Sequence, residues 1–236
     1  MKVYYDLHIH TALSPCGDDD MTPCNIVGLA ALCGLDVIAV TDHNSAANCA
    51  AVEKAGLKAG VTVLSGMELE TAEEVHVVML FPSAAAAEEC GKEVGKRRLL
   101  VPNNPEIYGR QLVMTHEDRI AGEEKNLLVT ATDVGVYEAV KLARKYGGTA
   151  FPAHIDRPSH GILQMLGDIA DDMGFAAVEI SPAACDEFTD CWIKRGYTVL
   201  RNSDAHYLEN MNQRSVNFLE LDSLTPENVI AKLGRR

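Results

Sequence analysis

The sequence predicts an α/β protein built around a largely parallel β-sheet. Short runs rich in β-branched residues alternate with segments of helical pattern along most of the 236 residues. Hydrophobic residues make up 47% and charged residues 23% of the chain, as in an ordinary soluble globular protein. Because the sequence has no internal repeat and no low-complexity tract, we expect one domain over residues 1–236.

The predicted strands are short apolar runs that end near glycine, proline, asparagine or aspartate residues. They cover residues 3–9, 36–41, 61–66, 75–80, 149–153, 176–180, 197–201 and 215–221. Strands that are separated by a helix pair in parallel, because the connection has to return to the same edge of the sheet.

The predicted helices lie between these strands. They cover residues 23–33, 45–59, 133–146, 162–173 and 225–234. Thr22-Pro23 and Thr225-Pro226 each place a capping hydroxyl and a first-turn proline where backbone N–H groups lack partners. Gly60 follows the second helix, where a glycine commonly ends one.

Residues 83–130 interrupt this alternation. Ala84 to Glu93 has a helical pattern, and the turn-rich residues 102–105 (PNNP) lead into an irregular stretch. Two interpretations remain open: an insertion that carries substrate contacts, or a long surface connection. If it contacts substrate, the candidates are Arg110, Gln111, His116 and Arg119.

The charge balance limits the classes of binding partner. The chain has 21 lysines and arginines against 34 aspartates and glutamates, a net charge of −13. A protein that holds long nucleic acid by neutralising phosphates needs a clustered basic surface, so we expect no long duplex as a partner. A small anionic substrate requires a local positive centre such as a metal ion.

The cysteines and the N-terminal residues predict a cytoplasmic location. The seven cysteines are scattered without a CxxC motif, which is typical of reduced thiols. The first residues, MKVYYDLHIH, lack the apolar stretch and cleavage site of a signal peptide. Every apolar run is much shorter than a membrane span, so no membrane association is expected.

Most of the eight histidines fall where a predicted strand ends or begins. His8 and His10 are two residues apart in a strand and therefore face the same side, as Asp204 and His206 can after a later strand. Four more residues of the types that bind metals lie at other strand ends: His43, Glu68, His76 and His154. A single strand-end histidine usually has a structural role. Because buried imidazoles and carboxylates are costly unless paired or bound to a cation, this accumulation predicts a metal cluster at the carboxyl ends of the strands.

Five segments resemble the successive motifs of the PHP family, the polymerase and histidinol phosphatase domain. They are DLHIHTALSP (6–15), VIAVTDHN (37–44), SGMELE (65–70), PAHIDRP (152–158) and NSDAH (202–206). The resemblance implies a distorted (β/α)7 TIM-like barrel. It also implies hydrolysis of phosphoesters with two or three divalent ions such as Zn, Mn or Fe.

The resemblance also implies three sets of metal ligands. The first set is His8, His10, Glu68 and Asp204; the second is Glu68, His76 and His154; the third is an early acidic residue with His43 and His206. The family usually reads HxHTxxSDG, whereas here Ser14 is followed by Pro-Cys-Gly-Asp-Asp-Asp. Asp18 is favoured as the early acid, with Asp19 and Asp20 as alternatives.

The predicted function is metal-dependent hydrolysis of a small phosphomonoester by a metal-activated water. Candidate substrates are a nucleotide, the end of a short oligonucleotide or a compound like histidinol phosphate. Arg157 is in the family's AH-x-x-R position and is expected to clamp phosphate; pairing with Asp156 is the structural alternative. His160 is a candidate to protonate the leaving oxygen or to bond phosphate, or else a flexible loop residue.

Two other function classes remain open. The first is a metal-dependent C–N hydrolase of the amidohydrolase type, which also uses an HxH strand motif but usually needs a modified lysine at a strand end. The second is a non-catalytic binding module stabilised by metal. Phosphate release, ammonia or carboxylate release, and melting stabilisation without turnover would distinguish the three. The sequence predicts neither the substrate's identity nor the oligomeric state.

Overall fold

The structure, a computed structural model, describes residues 1–213 and 217–235. Its strands, in chain order, are β1 (Lys2–Ile9), β2 (Val37–Val40), β3 (Thr62–Glu70), β4 (His76–Phe81), β5 (Leu112–Met114), β6 (Ile120–Glu123), β7 (Thr149–Pro152), β8 (Ala177–Glu179), β9 (Thr198–Leu200) and β10 (Phe218–Glu220). Its helices are α1 (Pro23–Leu32), α2 (Cys49–Ala59), α3 (Ala84–Arg97), α4 (Pro105–Tyr108), α5 (Val136–Lys145), α6 (Ile162–Leu166), α7 (Asp186–Lys194) and α8 (Pro226–Leu233).

Six strands form one curled sheet in the order β10-β1-β2-β3-β4-β7. Strands β1, β2 and β3 are parallel, whereas β10 is antiparallel to β1 and β4 is antiparallel to both β3 and β7. Strands β8 and β9 form a separate parallel pair.

Backbone hydrogen bonds join the strand pair to both ends of the curled sheet. The Ile155 N–H, after β7, donates to the Glu179 carbonyl of β8 at 2.9 Å. The His10 N–H, after β1, donates to the Ala205 carbonyl, which follows β9, also at 2.9 Å. Seven strands therefore surround a common centre as a distorted barrel, and the predicted α/β fold class is confirmed.

The direction of β4 differs from the expected parallel arrangement. A tight connection, closed by the Thr71 N–H donating to the Val75 carbonyl at 3.0 Å, turns the chain straight back from β3 into β4. A hairpin of this length can only join antiparallel strands. As a result, His76 at the start of β4 lies at the same edge as the carboxyl end of β3.

Two apolar clusters lie on opposite faces of the sheet. The outer cluster packs β-strand residues such as Ile38 and Met79 against α1, α2, α3 and α5. The inner cluster, which includes Leu64 and Phe151, fills the barrel and continues into α8. Because apolar side chains and α8 occupy most of the interior, the polar residues are confined to the carboxyl edge of the parallel strands.

The element boundaries differ from the predicted ones in a few places. Helix α2 begins at Cys49 rather than residue 45, and only residues 162–166 and a 3-10 turn at 171–173 of the predicted helix 162–173 are helical. Helix α7 had no counterpart in the prediction, although its acidic first turn and final Lys194 are normal helix signals. In the predicted strand 215–221, residues 215 and 216 lie outside the described residues.

The irregular segment is shorter than the predicted 83–130. Its first part, α3, packs on the sheet like the other helices, so the irregular segment covers residues 98–132. The segment carries α4 and the β5–β6 hairpin. The Asn48 side chain fixes the hairpin by donating to the Leu112 carbonyl at 2.9 Å and accepting from the Met114 N–H at 2.8 Å. Asn44, next to His43, donates to carbonyls of residues 128 and 130. The segment therefore covers the loops after β1 and β2 at the polar edge of the barrel.

None of the helices in residues 1–213 and 217–235 is both long and apolar enough to cross a lipid bilayer. The cytoplasmic location and the single domain over residues 1–236 stay predictions.

Candidate metal centre

Six different parts of the barrel contribute polar side chains to one site at the carboxyl edge. His8 is in β1 with His10 just after it, Glu68 is in β3, and His76 opens β4. Three loops supply the rest: His43 after β2, His154 after β7, and Asp204 with His206 after β9. Because successive side chains of a strand alternate in direction, residues two apart such as His8 and His10 reach the same side.

The Glu68 carboxylate is the centre of this site. Five imidazole nitrogens approach its two oxygens: His76 Nδ1 at 2.9 Å, His43 Nδ1 at 3.0 Å, and the Nε2 atoms of His8, His10 and His154 at 3.3 Å. Glu68 is 1% exposed, and neither oxygen accepts a hydrogen bond of normal geometry from any described residue. A buried carboxylate surrounded by nitrogen lone pairs without directed donors is the arrangement that divalent cations stabilise.

The first predicted ligand set converges in the structure. The Nε2 atoms of His8 and His10 face each other at 3.2 Å, which neutral imidazoles allow only when at least one of the two nitrogens is unprotonated. The Oδ1 atom of Asp204 lies 3.1 Å from His10 Nε2 and 3.3 Å from His8 Nε2. Ligand atoms of these three residues and Glu68 all lie within 4.8 Å of one another, so one ion can bind all four.

The remaining predicted ligands form overlapping groups. His43, Glu68 and His76 have ligand atoms within 4.8 Å of one another, and so do His10, His43 and His206. His154 Nε2 approaches Glu68 but His154 is in neither group. The donor set of imidazole nitrogen and carboxylate oxygen suits Zn, Mn or Fe(II) and is unlike the all-oxygen sites of calcium.

Neighbouring groups fix the tautomers of three of these histidines. The His8 Nδ1–H donates to both Glu179 oxygens at 3.0 and 3.1 Å, and the His206 Nδ1–H donates to the Asp204 carbonyl at 2.8 Å. His10 Nδ1 lies 2.8 Å from the Ser14 hydroxyl, which itself donates to Asp42 at 2.7 Å. In the neutral form of each ring, which metal binding requires, the Nε2 atom therefore presents a lone pair to the site.

Burial and charge set the protonation of the site. Burial lowers the pKa of His43 well below its usual value and that of His206 to about 4, so both rings stay neutral. Burial alone would lower the pKa of His10, but the hydrogen bond to Asp204 and the negative charges of Asp204 and Glu68 outweigh it and raise this pKa to about 9. The pKa of Glu68 lies well below its usual value, since its interactions with the surrounding imidazoles, above all His76 and His8, outweigh its own burial. Without a metal, protons on histidines balance the buried carboxylates.

The backbone at this site is strained. Among the described residues, six non-glycine residues have a positive φ, and four of them belong to the site or its border: Asn44, His154, His160 and Asp204. Such conformations cost about 1–3 kcal/mol each and persist where surrounding structure holds them in place. Here the backbone strain coincides with loop residues that place side chains at the cluster.

Asp18 has a different position from the other predicted ligands. Its carboxylate accepts the Asp20 N–H at 2.8 Å within its own loop, and its N–H donates to the His206 carbonyl at 2.9 Å. In the part of the chain that the structure describes, no metal-binding group includes Asp18, and Asp19 and Asp20 are exposed. The ligand role of Asp18 stays a prediction.

A pocket of about 140 Å³ opens beside the cluster, and Arg157, Ser159 and His160 line its mouth. The Arg157 guanidinium is 38% exposed and pairs with Asp204, a cluster residue. The alternative partner, Asp156, instead accepts hydrogen bonds from the Ser181 N–H at 2.7 Å and the Ser181 hydroxyl at 2.5 Å. Arg157 therefore faces the pocket, as its predicted contact with phosphate requires.

The candidates in the irregular segment lie away from this pocket. Arg110 pairs with Glu123, and Arg119 lies 3.5 Å from Glu117 with its side chain 79% exposed. Gln111 is buried and bonds the backbone of residues 124, 126 and 128, while His116 lies beside Glu117, and its carbonyl accepts from the Cys24 thiol of α1. Their side chains stabilise the segment or its surface.

Sequence reasoning missed Glu179, which holds His8 and also accepts the His154 N–H at 3.0 Å and the Asn202 amide at 2.7 Å. A single glutamate in a short strand carries no pattern, and its contact with His8 spans 171 residues. The strand position offered one indirect signal: a charged residue inside an apolar run requires a buried partner.

Comparison with known proteins identifies the family. The model of the PHP domain family matches residues 6–173, which is more than half of the chain. A curated relative, the 5'-3' exoribonuclease of Haemophilus influenzae, is 25% identical over 193 aligned positions, covering 65% of this chain and 69% of that protein.

Solved structures share the fold. Endonuclease Q from Pyrococcus furiosus, described as a lesion-specific endonuclease, superimposes with a TM-score of 0.72 at 21% identity, over 99% of this chain and 56% of that one. Endonuclease Q with a 27-mer duplex gives 0.70 at 22% identity and the same coverage. A Bifidobacterium adolescentis protein, provisionally described as a metal-dependent phosphoesterase, gives 0.60 at 17% identity over 98% and 95% of the two chains.

This chain spans 56% of the Endonuclease Q chains. Because one of those structures contains a duplex, the barrel fold is compatible with a duplex-binding protein, and the exclusion of long duplex from net charge alone has no support.

Proposed function

Since this chain belongs to the PHP domain family, we propose that it hydrolyses a phosphate ester at the cluster around Glu68. The observation that carries the proposal is the Glu68 carboxylate itself, which is buried, accepts no normal hydrogen bond and has five imidazole nitrogens within 3.3 Å. Divalent ions bound there would supply an activated water and neutralise the charge of the phosphate.

The residues that would hold these ions are the predicted ligands that converge: His8, His10, His43, Glu68, His76, His154, Asp204 and His206. Their overlapping groups support two or three ions. Glu179, Ser14 and the Asp204 carbonyl keep three of the rings in the tautomer that binds metal.

Arg157 binds the phosphate in this proposal. Its Nη1 atom is held by Asp204, while the rest of the guanidinium fork faces the pocket mouth and can reach two phosphate oxygens. The arginine also adds a positive charge to the pocket of a protein whose net charge is −13.

The size of the pocket supports a terminal phosphate as the reacting group. A volume of about 140 Å³ accommodates a phosphoryl group and little else, so the remainder of the substrate lies outside. This favours a small phosphomonoester, such as a nucleotide, or the end of a short oligonucleotide. The exoribonuclease among the relatives, whose name describes cleavage of phosphodiesters from a chain end, supports the end of an oligonucleotide as a second candidate, with a nucleotide rather than phosphate as the product.

The test is a screen for release of phosphate, and of nucleotides from the oligonucleotides, with protein loaded with Zn, Mn or Fe(II). Substrates are nucleotides, sugar phosphates, histidinol phosphate, 5'-phosphorylated oligonucleotides and a duplex with an abasic site. We expect phosphate release that disappears in Glu68→Ala and persists in Glu89→Ala, which removes an exposed carboxylate of α3. Arg157→Ala should reduce kcat/KM by about 10–100-fold through the lost bidentate contact, with partial recovery in Arg157→Lys.

Other products would select the alternatives. Ammonia or carboxylate release from amide substrates would support a C–N hydrolase, and metal-dependent stabilisation without any turnover would support a binding module. Internal cleavage of the duplex with an abasic site would show that the substrate is a duplex cut as by an endonuclease, and not a small phosphomonoester.

A further inference from the structure

A second group of potential ligands lies beside the cluster and has no place in the predicted ligand sets. Ligand atoms of Glu70, His76 and His160 lie within 4.8 Å of one another. Glu70 is the last residue of β3, two positions beyond Glu68, so both glutamates extend from the same face of the strand. His160 lines the mouth of the pocket.

The Glu70 carboxylate is largely buried but has no hydrogen-bond donor. The residue is 7% exposed, and within residues 1–213 and 217–235 no side chain or backbone group donates a hydrogen bond to its carboxylate. Its own N–H and carbonyl bond Asn44 and Thr132. Unlike the Glu68 oxygens, the Glu70 oxygens are not fully buried, so they are open to a ligand that arrives from solvent.

The spacing of the three residues suits an ion better than direct pairing. In the described chain no His–carboxylate contact within 4.0 Å involves Glu70, although its oxygen lies within 4.8 Å of nitrogens of both histidines. Ligands at 2.0–2.2 Å from one ion are separated by about 3–4 Å, so small side-chain movements close the site.

His160 is held in the form that ligates metal. Its Nδ1–H donates to the Glu74 carbonyl at 3.1 Å, and its own carbonyl accepts the His76 N–H at 3.0 Å. Because a carbonyl can only accept, Nδ1 carries the proton and Nε2 presents a lone pair. The residue has a φ of +56°, and its ring stacks on His76 with centroids 4.3 Å apart.

We propose that Glu70, His160 and His76 form an accessory divalent-cation site beside the cluster around Glu68, with which it shares His76. A neutral imidazole has one lone pair, so His76 would bind an ion on each side only after its ring proton is released to solvent. The donors are one carboxylate oxygen and two imidazole nitrogens, which suit Zn, Mn or Fe(II). Three protein ligands leave coordination positions open towards the pocket. This site rests on the proposed function and assigns His160 a different role in it, because His160 then binds a cation and does not donate a proton.

The experiment counts bound ions and does not depend on turnover. Metal-free wild-type protein, Glu70→Gln and His160→Ala are dialysed against a concentration series of Mn²⁺ or Zn²⁺, and the bound metal is measured by mass spectrometry. Glu74→Gln is the matched control, because it removes an exposed carboxylate in the adjoining turn. We expect wild type and the control to bind one ion more per chain than either variant at saturation. Circular dichroism checks that all four proteins are folded.

Equal stoichiometry and affinity in all four proteins would overturn the proposal. Loss of every ion together in Glu70→Gln would also reject it, because Glu70 would then support the main cluster and no separate site. The extra ion can be present in a protein that releases no phosphate, so failure of the proposed function and failure of this site are distinguishable.

Discussion

At the residue scale, the site depends on side chains that hold the metal-binding residues as much as on those residues themselves. Glu179, Ser14 and Asp42 are buried or partly buried, and each acts on an imidazole through its Nδ1–H, directly or through one hydroxyl. Asp42 lies just after β2, where an aspartate can either orient its neighbours or cap a following helix. The structure shows the first arrangement, since Asp42 accepts from Thr11 and Ser14, and α2 begins at Cys49 after Asn48.

Replacement of Glu179 tests this support. In Glu179→Gln, the new NH2 group is itself a donor and faces at least one of the N–H donors of His8, His154 or Asn202. That buried N–H group then has no acceptor. We expect metal affinity to fall by about 10–100-fold, as for other residues that orient metal-bound histidines. Isothermal titration with Zn²⁺ measures the change, with Glu220→Gln on exposed β10 as the control. Unchanged affinity in Glu179→Gln would show that His8 needs no orienting carboxylate.

A buried thiol gives a pH-dependent contribution to stability. Burial, and then the charge of Glu93, raises the pKa of Cys90 to about 12 from 9.0. The unfolded chain loses this proton near pH 9, so the stabilisation is complete below that pH and is lost as the pH rises towards 12, by about 1.4 kcal/mol per unit. Urea unfolding gives the free energy of unfolding of wild type and of Cys90→Ala. The difference between the two values should be smaller by about 1 kcal/mol at about pH 10 than at about pH 8.5. Cys185→Ala, at an exposed site, should show no such narrowing; a constant difference for Cys90→Ala would contradict the argument.

At the element scale, alternation and strand-end chemistry predicted most of the barrel, because short apolar strands and capped helices are local patterns. Long-range contacts determined the exceptions. Residues 45–48 belong to a loop because the Asn48 side chain is used to hold the β5–β6 hairpin rather than to extend α2. The antiparallel β4 follows from the short connection after β3, because a helical crossover between parallel strands needs a dozen or more residues.

The hairpin contact is testable at Asn48. Asn48→Ala removes hydrogen bonds to the Leu112 carbonyl, the Met114 N–H and the Thr11 hydroxyl, all in buried surroundings. Each buried polar group left without a hydrogen-bond partner costs about 1–3 kcal/mol, so we expect the free energy of unfolding to fall by at least about 2 kcal/mol. Urea denaturation gives the value, and faster proteolysis within residues 98–132 locates the change. The exposed Asn210→Ala should leave both unchanged; a neutral Asn48→Ala would mean that the hairpin is held by other contacts.

At the scale of the whole molecule, convergence of the site follows from closure of the ring. Strand ends from residues 8–10, 43, 68, 154 and 204–206 meet because β1, β2, β3, β7 and β9 present their carboxyl ends at one edge, where the antiparallel β4 begins. The period-two pattern and the family motifs together predicted this convergence. The expected ligand role of Asp18 rested on the family pattern and on its distance from the predicted helix start at Thr22-Pro23, in a stretch where the sequence departs from that pattern. In the structure its carboxylate accepts the Asp20 N–H within its own loop, and the ligand role stays a prediction. The distance between Glu179 and His8 in the sequence explains why the support of His8 was not predictable.

Metal removal should affect the stability of the entire barrel, because the ligands join β1, β3, β4 and the loops after β2, β7 and β9. An ion at 100 times its Kd stabilises the folded state by about 2.7 kcal/mol. For a protein of this size, we expect Tm to rise by about 5–10 °C on addition of Mn²⁺ or Zn²⁺ and to return with a chelator. Differential scanning calorimetry measures the shift, which should be abolished in Glu68→Ala and retained in Glu89→Ala. A metal-independent Tm in wild type would argue against a bound cation.

Closure through residues 202–206 also has a consequence for biosynthesis. His8 and His10 leave the ribosome almost two hundred residues before Asp204 and His206. A nascent chain therefore cannot assemble the full coordination sphere until Asp204 and His206 have been translated. Cation loading is then a late event, and a truncated translation product that lacks Asp204 and His206 cannot assemble this site.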